Sequence, residues 1–349
     1  MCRDPPESAW TRVAAQPLLQ QVPRKNMSKP EIVTIAPLPA FFAKPLHEKF
    51  TVHDLHGAAD TEARRALIAK IAPTTRGMVA FGGSQLSPEQ LAKFPHLEII
   101  SVMGVGYDGM PLVACADAKV KVTNTPDVLN DEVADTAIAL TQMTCRQFVG
   151  SQKFVEGGEW LKGQYPLTHS IWGKTVGIIG LGRIGKEIAN RLLAHKMKIA
   201  YFGRSKQDVP YQYYGNLVQM AGDVDVLIAI TPGGAATKHL VNAAVLAALG
   251  PTGYFINVAR GSVVDEVALV AALENGTIAG AGLDVFDAEP KVPEALFNRR
   301  NVVLLPHVAS ATVETRQAMA DLAVENLALH FAGKPVTTLV PELVGKVIA

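Results

Sequence analysis

Lys174-Thr-Val-Gly-Ile-Ile-Gly-Leu-Gly-Arg-Ile-Gly185 constrains this chain more than any other stretch. Val176 to Ile179 is an apolar run with the length of a short buried strand. The chain then turns through Gly180, Gly182 and Gly185 into a pattern where Ile184, Ile188 and Leu192 recur every fourth residue and share one helix face. Each glycine has its own reason. Gly180 permits the tight turn, Gly182 lets a pyrophosphate approach the backbone, and Gly185 lets the helix pack close to the strand. The unpaired N–H groups at the helix start, around Arg183 and Ile184, face the phosphates together with the positive end of the helix dipole. A bare G-x-G-x-x-G also punctuates ordinary turns, but with a strand before it and a helix after it the motif reads as a dinucleotide site.

Around this motif the chain alternates strand and helix. Ile32–Ala36, Met78–Phe81, Glu98–Val102 and Val120–Val122 are short apolar or β-branched runs, separated by helical patterns such as Thr61–Ile71 and Pro88–Phe94. Thr125-Pro126 interrupts the alternation. A helix over about Asp131–Phe148 follows, with Asn130 as its expected cap. Beyond the glycine motif, strands are expected at Lys198–Phe202, Val224–Ile230, Tyr254–Val258, Ile278–Leu283 and Val302–Leu305, and helices near Ala243–Leu249, Asp265–Glu274 and Thr312–His330. The tail, Lys334 to Ala349, has no strong pattern, and such a tail can return to the first domain. The expected class is α/β: two Rossmann-like or flavodoxin-like domains with parallel sheets and a cleft between them.

The 349 residues suffice for two domains with their own cores. A net charge of +1 leaves no electrostatic footprint for nucleic acid or an acidic membrane surface, and no apolar run approaches the ~20 residues of a membrane span. Three cysteines, Cys2, Cys115 and Cys145, form no C-x-x-C pair, which fits a reducing cytoplasm. No metal-ligand spacing occurs, since His53-Asp-Leu-His56 is a lone pair in a loop-like stretch, and there is no nucleophile elbow. Residues 1–26 carry four prolines and no periodicity, so they read as a disordered leader or as the product of an upstream start codon with Met27 the natural beginning; Asp4 and Glu7 argue against an organellar transit peptide.

In open α/β sheets, ligands bind beyond the carboxyl ends of the strands. Arg260 follows the run Tyr254–Val258, Glu289 the run Leu283–Phe286, and His307 the run Val302–Leu305. All three are expected on the edge where Gly182 holds the cofactor. Arg260 can grip a carboxylate with its rigid fork, His307 can protonate an oxygen, and Glu289 can orient that imidazole and hold its proton. Any one of them alone would pass for an ordinary surface residue. Their conjunction makes the site.

Four ordered motifs carry a resemblance. Gly180-Leu-Gly-Arg-Ile-Gly185, Asn257-Val-Ala-Arg-Gly-Ser262, Gly282-Leu-Asp-Val-Phe286 with Glu289-Pro290, and Leu305-Pro-His307 with Ser310-Ala-Thr312 resemble the D-isomer-specific 2-hydroxyacid dehydrogenases. Within them the chain looks most like the NADPH-dependent glyoxylate/hydroxypyruvate reductases, over about Ile32 to Pro341. The resemblance implies hydride transfer to a small 2-keto acid, with Arg260, Glu289 and His307 catalytic. It implies Val105 and Gly106, in Gly104-Val-Gly-Tyr-Asp108, as amide donors to the substrate carboxylate, and an anion nest is what such a glycine turn offers. It further implies that Asp284 and the backbone near Val258 hold the nicotinamide carboxamide, with Thr231, Pro232 and Ala309 as further cofactor contacts. Ala309 departs from the glycine common in the family.

The same resemblance implies a homodimer, with the segment around Asp127 to His169 reaching across to the partner. It also implies the division of the chain: residues 27–124 with 311–349 as a flavodoxin-like substrate domain, and 125–310 as the dinucleotide-binding domain. Glu289 argues against formate dehydrogenases, and the short tail against phosphoglycerate dehydrogenases with an appended regulatory domain. A dinucleotide-sensing corepressor on the same fold shares these motifs, and turnover of a 2-keto acid separates the two. An acidic residue usually holds the adenine ribose after the second strand. Here Gly203, Arg204, Ser205 and Lys206 stand in its place, so NADPH is expected over NADH.

Overall fold

The computed structural model describes residues 28–57 and 61–347; the expected leader and Met27 lie outside them. Two parallel sheets organise the chain. The first joins β1 (Glu31–Thr34), β2 (Thr51–Asp54), β3 (Thr75–Phe81), β4 (Ile99–Met103) and β5 (Lys121–Thr123) in the order β2-β1-β3-β4-β5. The second joins β6 (Thr175–Ile179), β7 (Lys198–Phe202), β8 (Gln212–Tyr214), β9 (Val226–Ala229), β10 (Tyr254–Asn257), β11 (Gly280–Leu283) and β12 (Val302–Leu304). Its order is β12-β11-β10-β9-β6-β7-β8. The first order is the flavodoxin-like one, and the second is the dinucleotide-binding one extended by a strand.

Both sheets are covered on both faces, as parallel sheets require. Along β4, Ile99 and Met103 face one apolar cluster while Ile100 and Val102 face another, the period of two expected of a strand. One cluster runs from Ile32 and Ile99 through the helices Asn130–Cys145 and Val313–Phe331 to Val176 and Ile256 of the second sheet. The helix Val313–Phe331 packs on β4, where Ser101 donates to the carbonyl of Ala323 at 2.9 Å.

The tail returns to the first sheet. Val340, Leu343 and Val347 are buried there, and Thr123 bridges Leu339 in antiparallel sense. Asn326, fully buried, enforces the reversal: its Oδ1 accepts from the amides of Thr337 and Thr338, and its Nδ2 donates to Leu322 O and Thr338 Oγ1.

Two helical expectations are corrected. The expected helix over 131–148 ends at Cys145, because Gln147 takes a left-handed conformation (φ 50°), and a separate helix runs over Phe148–Glu156. Asn130 is not the cap. It is the first helical residue, the cap position falls on Leu129 without a side-chain bond, and the Asn130 amide donates to Asp127 instead. The edge strands β2 and β8 and the helix Ala40–Lys49, which contains Pro45, were not expected from the sequence. Half-exposed edge strands carry no apolar run, and a proline masks a helix.

Candidate active site

The loops after β4, β9, β10, β11 and β12 converge between the two sheets. Arg260 leaves β10 through a turn braced by Asn257, a fully buried side chain that donates to Arg260 O at 3.0 Å and accepts from the Ala259 amide. Gly261 lies so close to the backbone of Phe286 that no Cβ fits, which draws the Arg260 loop against the loop bearing Glu289. The guanidinium spends Nη1 on Ala259 O at 2.8 Å and places Nε 3.3 Å from Asp108 Oδ1, without the alignment of a hydrogen bond. Nη2 projects across the cleft toward the Gly82 and Gly106 turns of the first sheet.

His307 and Glu289 meet directly. The imidazole Nδ1 lies 2.8 Å from Glu289 Oε2, and Oε1 accepts from the Phe286 amide at 3.0 Å. Burial pushes the Glu289 carboxyl up, but the bonds from His307 and Phe286 and the positive charges of His307 and Arg260 outweigh it. The carboxyl therefore lies below its ordinary range. His307 itself sits in the left-handed region (φ 53°), a placement uncommon outside glycine and frequent at functional sites. Asp284, 1% exposed, maintains it: its carboxylate accepts from the amides of Val308 and Ala309 at 2.8 and 3.0 Å, and its carbonyl accepts from the His307 amide. Burial raises the Asp284 carboxyl, and the two amides only partly offset it.

Across the cleft, Gly104-Val-Gly-Tyr-Asp108 is pinned from behind. Gly104 and Thr125 exchange two hydrogen bonds, and Asn124 Nδ2 donates to Val105 O. Among the described residues the amides of Val105 and Gly106 have no partner, so both remain free to bind an anion. Tyr107 donates to Glu342 of the returning tail. Burial and that carboxylate push its phenol up to about 12.

The glycine turn has the geometry its sequence required. Gly180 is left-handed (φ 100°) against the backbone of Ile230 and Thr231, and a Cβ on Gly185 would strike the Gly180 carbonyl. A Cβ on Gly182 would meet nothing within 4 Å, so the space above the first turn of the helix Arg183–Ala194 is open to a phosphate. Profile comparison matches residues 138–309 to the NAD binding domain of the D-isomer specific 2-hydroxyacid dehydrogenases. Hydroxyphenylpyruvate reductase of Plectranthus scutellarioides is 44% identical over 308 residues, covering 88% of this chain and 97% of its own. The chain belongs to this family.

Two further relatives place the dehydrogenase among reductases. Glyoxylate/hydroxypyruvate reductase A of Arabidopsis thaliana is 41% identical, with 88% and 97% coverage. The NADPH-dependent glyoxylate/hydroxypyruvate reductase of Sinorhizobium meliloti, solved with NADP and malonate, is 46% identical, covers 90% of this chain and 98% of its own, and superposes with a TM-score of 0.84.

The other cofactor candidates divide by exposure. Val258 and Ala309 are buried behind the cleft, and Thr231 and Pro232 follow β9 beside Gly180. Arg204, Ser205 and Lys206 are exposed just beyond β7, and neither Arg204 nor Lys206 has an ion pair among the described residues. Arg183, by contrast, directs its Nε to Asp127 Oδ1 at 3.0 Å. Sequence reading missed Asn257 and Asp108. Both lie inside quoted motifs, and an asparagine at a strand end or an aspartate after a glycine turn carries no signal of its partner. Asp108 also packs against Gly233, where a Cβ would fall 2.9 Å from its Oδ2.

Proposed function

We propose that this dehydrogenase reduces glyoxylate and hydroxypyruvate to the corresponding 2-hydroxy acids, with NADPH as the favoured donor. The observation that carries the reading is the His307–Glu289 contact beside Arg260, at the sheet edge above the glycine turn. Arg260, with the free amides of Val105 and Gly106, holds the substrate carboxylate, and its positive charge polarises the neighbouring carbonyl. Bound along that edge, the reduced nicotinamide supplies the hydride. His307 has Nδ1 committed to Glu289, so Nε2 is the nitrogen left to protonate the oxygen as the C2–H bond forms. Glu289 fixes the ring and balances the imidazolium. The proton is then restored from solvent, to which the His307 side chain is 42% exposed.

The exposed Arg204 and Lys206 and the lack of a carboxylate at Gly203–Lys206, directly after β7, support the cofactor preference, as does the NADPH-dependent relative. We assign residues 27–124 with 311–349 to the substrate domain and 125–310 to the dinucleotide domain, following the two sheets and the return of the tail. A homodimer is supported by the apolar side chains exposed between 148 and 167: Phe148, Val155, Trp160, Leu161 and Leu167, the last fully exposed. A cytoplasmic setting is supported by Cys115 and Cys145, both unpaired and buried. Among the described residues no helix is long and apolar enough to cross a membrane.

The test is kcat/KM for a panel of 2-keto acids with NADPH and NADH, alongside mass determination by light scattering. Absence of turnover with any 2-keto acid would overturn the reading. A bulkier aromatic or sugar acid as best substrate would move the assignment within the family.

A further inference from the structure

The basic turn after β7 is a preset element held at both ends. Tyr201, within β7, is fully buried, and its phenol reaches across the turn to residue 207. There its Oη accepts from the Gln207 amide at 2.7 Å and lies 3.4 Å from the Gln207 carbonyl, to which it donates. The other end is held by Tyr213 of β8, whose Oη donates to Gly203 O at 3.3 Å. The two rings pack together with centroids 5.3 Å apart. Between these fixed points stand Arg204, Ser205 and Lys206, exposed and pointing to no protein partner among the described residues, and a Cβ on Gly203 would meet open space.

The turn is also tied to the phosphate-binding loop. Gln207 Nε2 donates to Leu181 O at 2.9 Å, and Leu181, 2% exposed, lies between Gly180 and Gly182. One glutamine thus links the peptide that closes the basic turn to the peptide that shapes the pyrophosphate turn. We propose that Gln207, fixed by Tyr201, is a positioning residue for cofactor choice: it sets Arg204 and Lys206 at a constant distance from the pyrophosphate turn, so that they receive a 2′-phosphate without being ordered by it. The proposal rests on the reading that this turn binds the 2′-phosphate. Its physical basis is preorganisation, since a loop already fixed in its binding geometry loses little conformational freedom when the ligand arrives. Neither residue touches the phosphate. The effect is transmitted through the backbone they hold.

Two variants isolate the links while preserving bulk. Gln207→Met keeps the length and flexibility of the side chain but removes the donor to Leu181. Tyr201→Phe keeps the buried ring and removes only the hydroxyl. The purified enzyme is titrated by calorimetry with 2′,5′-ADP and with 5′-AMP, which differ in the 2′-phosphate, and kcat and KM are measured with NADPH and NADH. Gln207→Met is expected to lose about two- to tenfold in affinity for 2′,5′-ADP, the worth of one hydrogen bond, and Tyr201→Phe, whose hydroxyl makes two, at least as much. Affinity for 5′-AMP and kcat with saturating NADPH should hold, and KM for NADPH should rise more than KM for NADH. If the wild type binds both nucleotides equally, the phosphate assignment of the turn fails and the proposal falls with it. If the wild type discriminates and both variants discriminate equally well, the phosphate assignment stands and the positioning role is wrong. Equal losses for both nucleotides would also overturn it, because they mark a general defect of the loop.

Discussion

Gly106→Ala should disable the enzyme without unfolding it. An ideal Cβ on Gly106 would overlap Arg260 Nη2, fall 2.8 Å from Arg260 Cζ and 2.9 Å from Asp108 Oδ1, where ordinary contact begins at 3.4 Å. Gly106 is not in the left-handed region, so alanine fits its backbone, and every clashing atom belongs to a side chain that can swing. The guanidinium must therefore retreat on the order of 1 Å from the free amides of Val105 and Gly106, while the amides stay in place. A misplacement of that size costs on the order of a hundredfold, and losing one preorganised donor at a reacting group costs about 2.7–4 kcal/mol, or roughly 10²–10³ in rate. The assay is kcat/KM for glyoxylate in the wild type, Gly106→Ala, Arg260→Ala and the double variant, with Tm measured on each. The expectation is a loss of about 10²–10³ for Gly106→Ala, at least as much for Arg260→Ala, and a double variant little worse than Arg260→Ala alone. The folding stability of Gly106→Ala, read through its Tm, should stay within about 1 kcal/mol of the wild type. Near-normal activity in Gly106→Ala, or two losses that simply multiply, would refute the placement of Arg260 against this turn.

Three further predictions address Glu289, Asp284 and, away from the site, His330. Glu289→Gln should lower kcat by about ten- to a hundredfold as the imidazole loses its ionic partner. The Glu289 carboxyl lies below its ordinary value in the folded state, so its stabilisation is present above pH ~4.5 and lost as pH falls through the folded value. The Tm gap between wild type and variant should accordingly close on acidification below that point, and a constant gap would contradict this. Asp284→Asn replaces one of two acceptors with a donor facing a backbone amide. It should cost about 1–3 kcal/mol in chemical denaturation and depress kcat by shifting His307, and a variant with unchanged midpoint and kcat would refute the anchoring role. Burial, followed by Lys121 and Arg76, lowers the His330 imidazole despite its 2.8 Å contact with Glu98. A depressed histidine stabilises the fold above pH ~6.5, so His330→Gln should flatten the decline of Tm as pH drops from that point toward the folded value.

The second sheet was legible because its central strands are buried on both faces and so read as unbroken apolar runs. Lys198–Phe202 and Tyr254–Val258 were placed nearly to the residue. Its edge was not legible. Gln212–Tyr214 pairs on one side only and keeps polar residues, so its pattern merges with the loops around it. The break at Gln147 was hidden for a different reason: glutamine is a good helix former, and nothing local announces its left-handed conformation. The tail behaves similarly. Its reversal depends on Asn326, buried within a helix, finding Thr337 and Thr338, a contact set by packing rather than by any turn signature.

The site divides along the same line, between residues that announce themselves and residues that need a partner to have meaning. Arg260, Glu289 and His307 are chemically expensive groups, each placed after an apolar strand, and that shared position marks them as a set. The groups that aim them are cheaper in sequence. Asn257 acts on Arg260 through the backbone, Asp108 reaches it from the other sheet, and Asp284 holds His307 by accepting two amides 24 and 25 residues further along the chain. For Asp284 the resemblance implied contact with the nicotinamide carboxamide. With both carboxylate oxygens already bound to Val308 and Ala309, it first serves the turn that carries the imidazole. This difference yields an ordering that kinetics can check. Changes at Arg260 should act on kcat/KM for substrate with the cofactor KM held, whereas changes at Asp284 should move kcat and the cofactor KM together, because Asp284 holds the imidazole turn beside the edge we propose for the nicotinamide. An Asp284→Asn variant that altered only substrate KM would break that ordering.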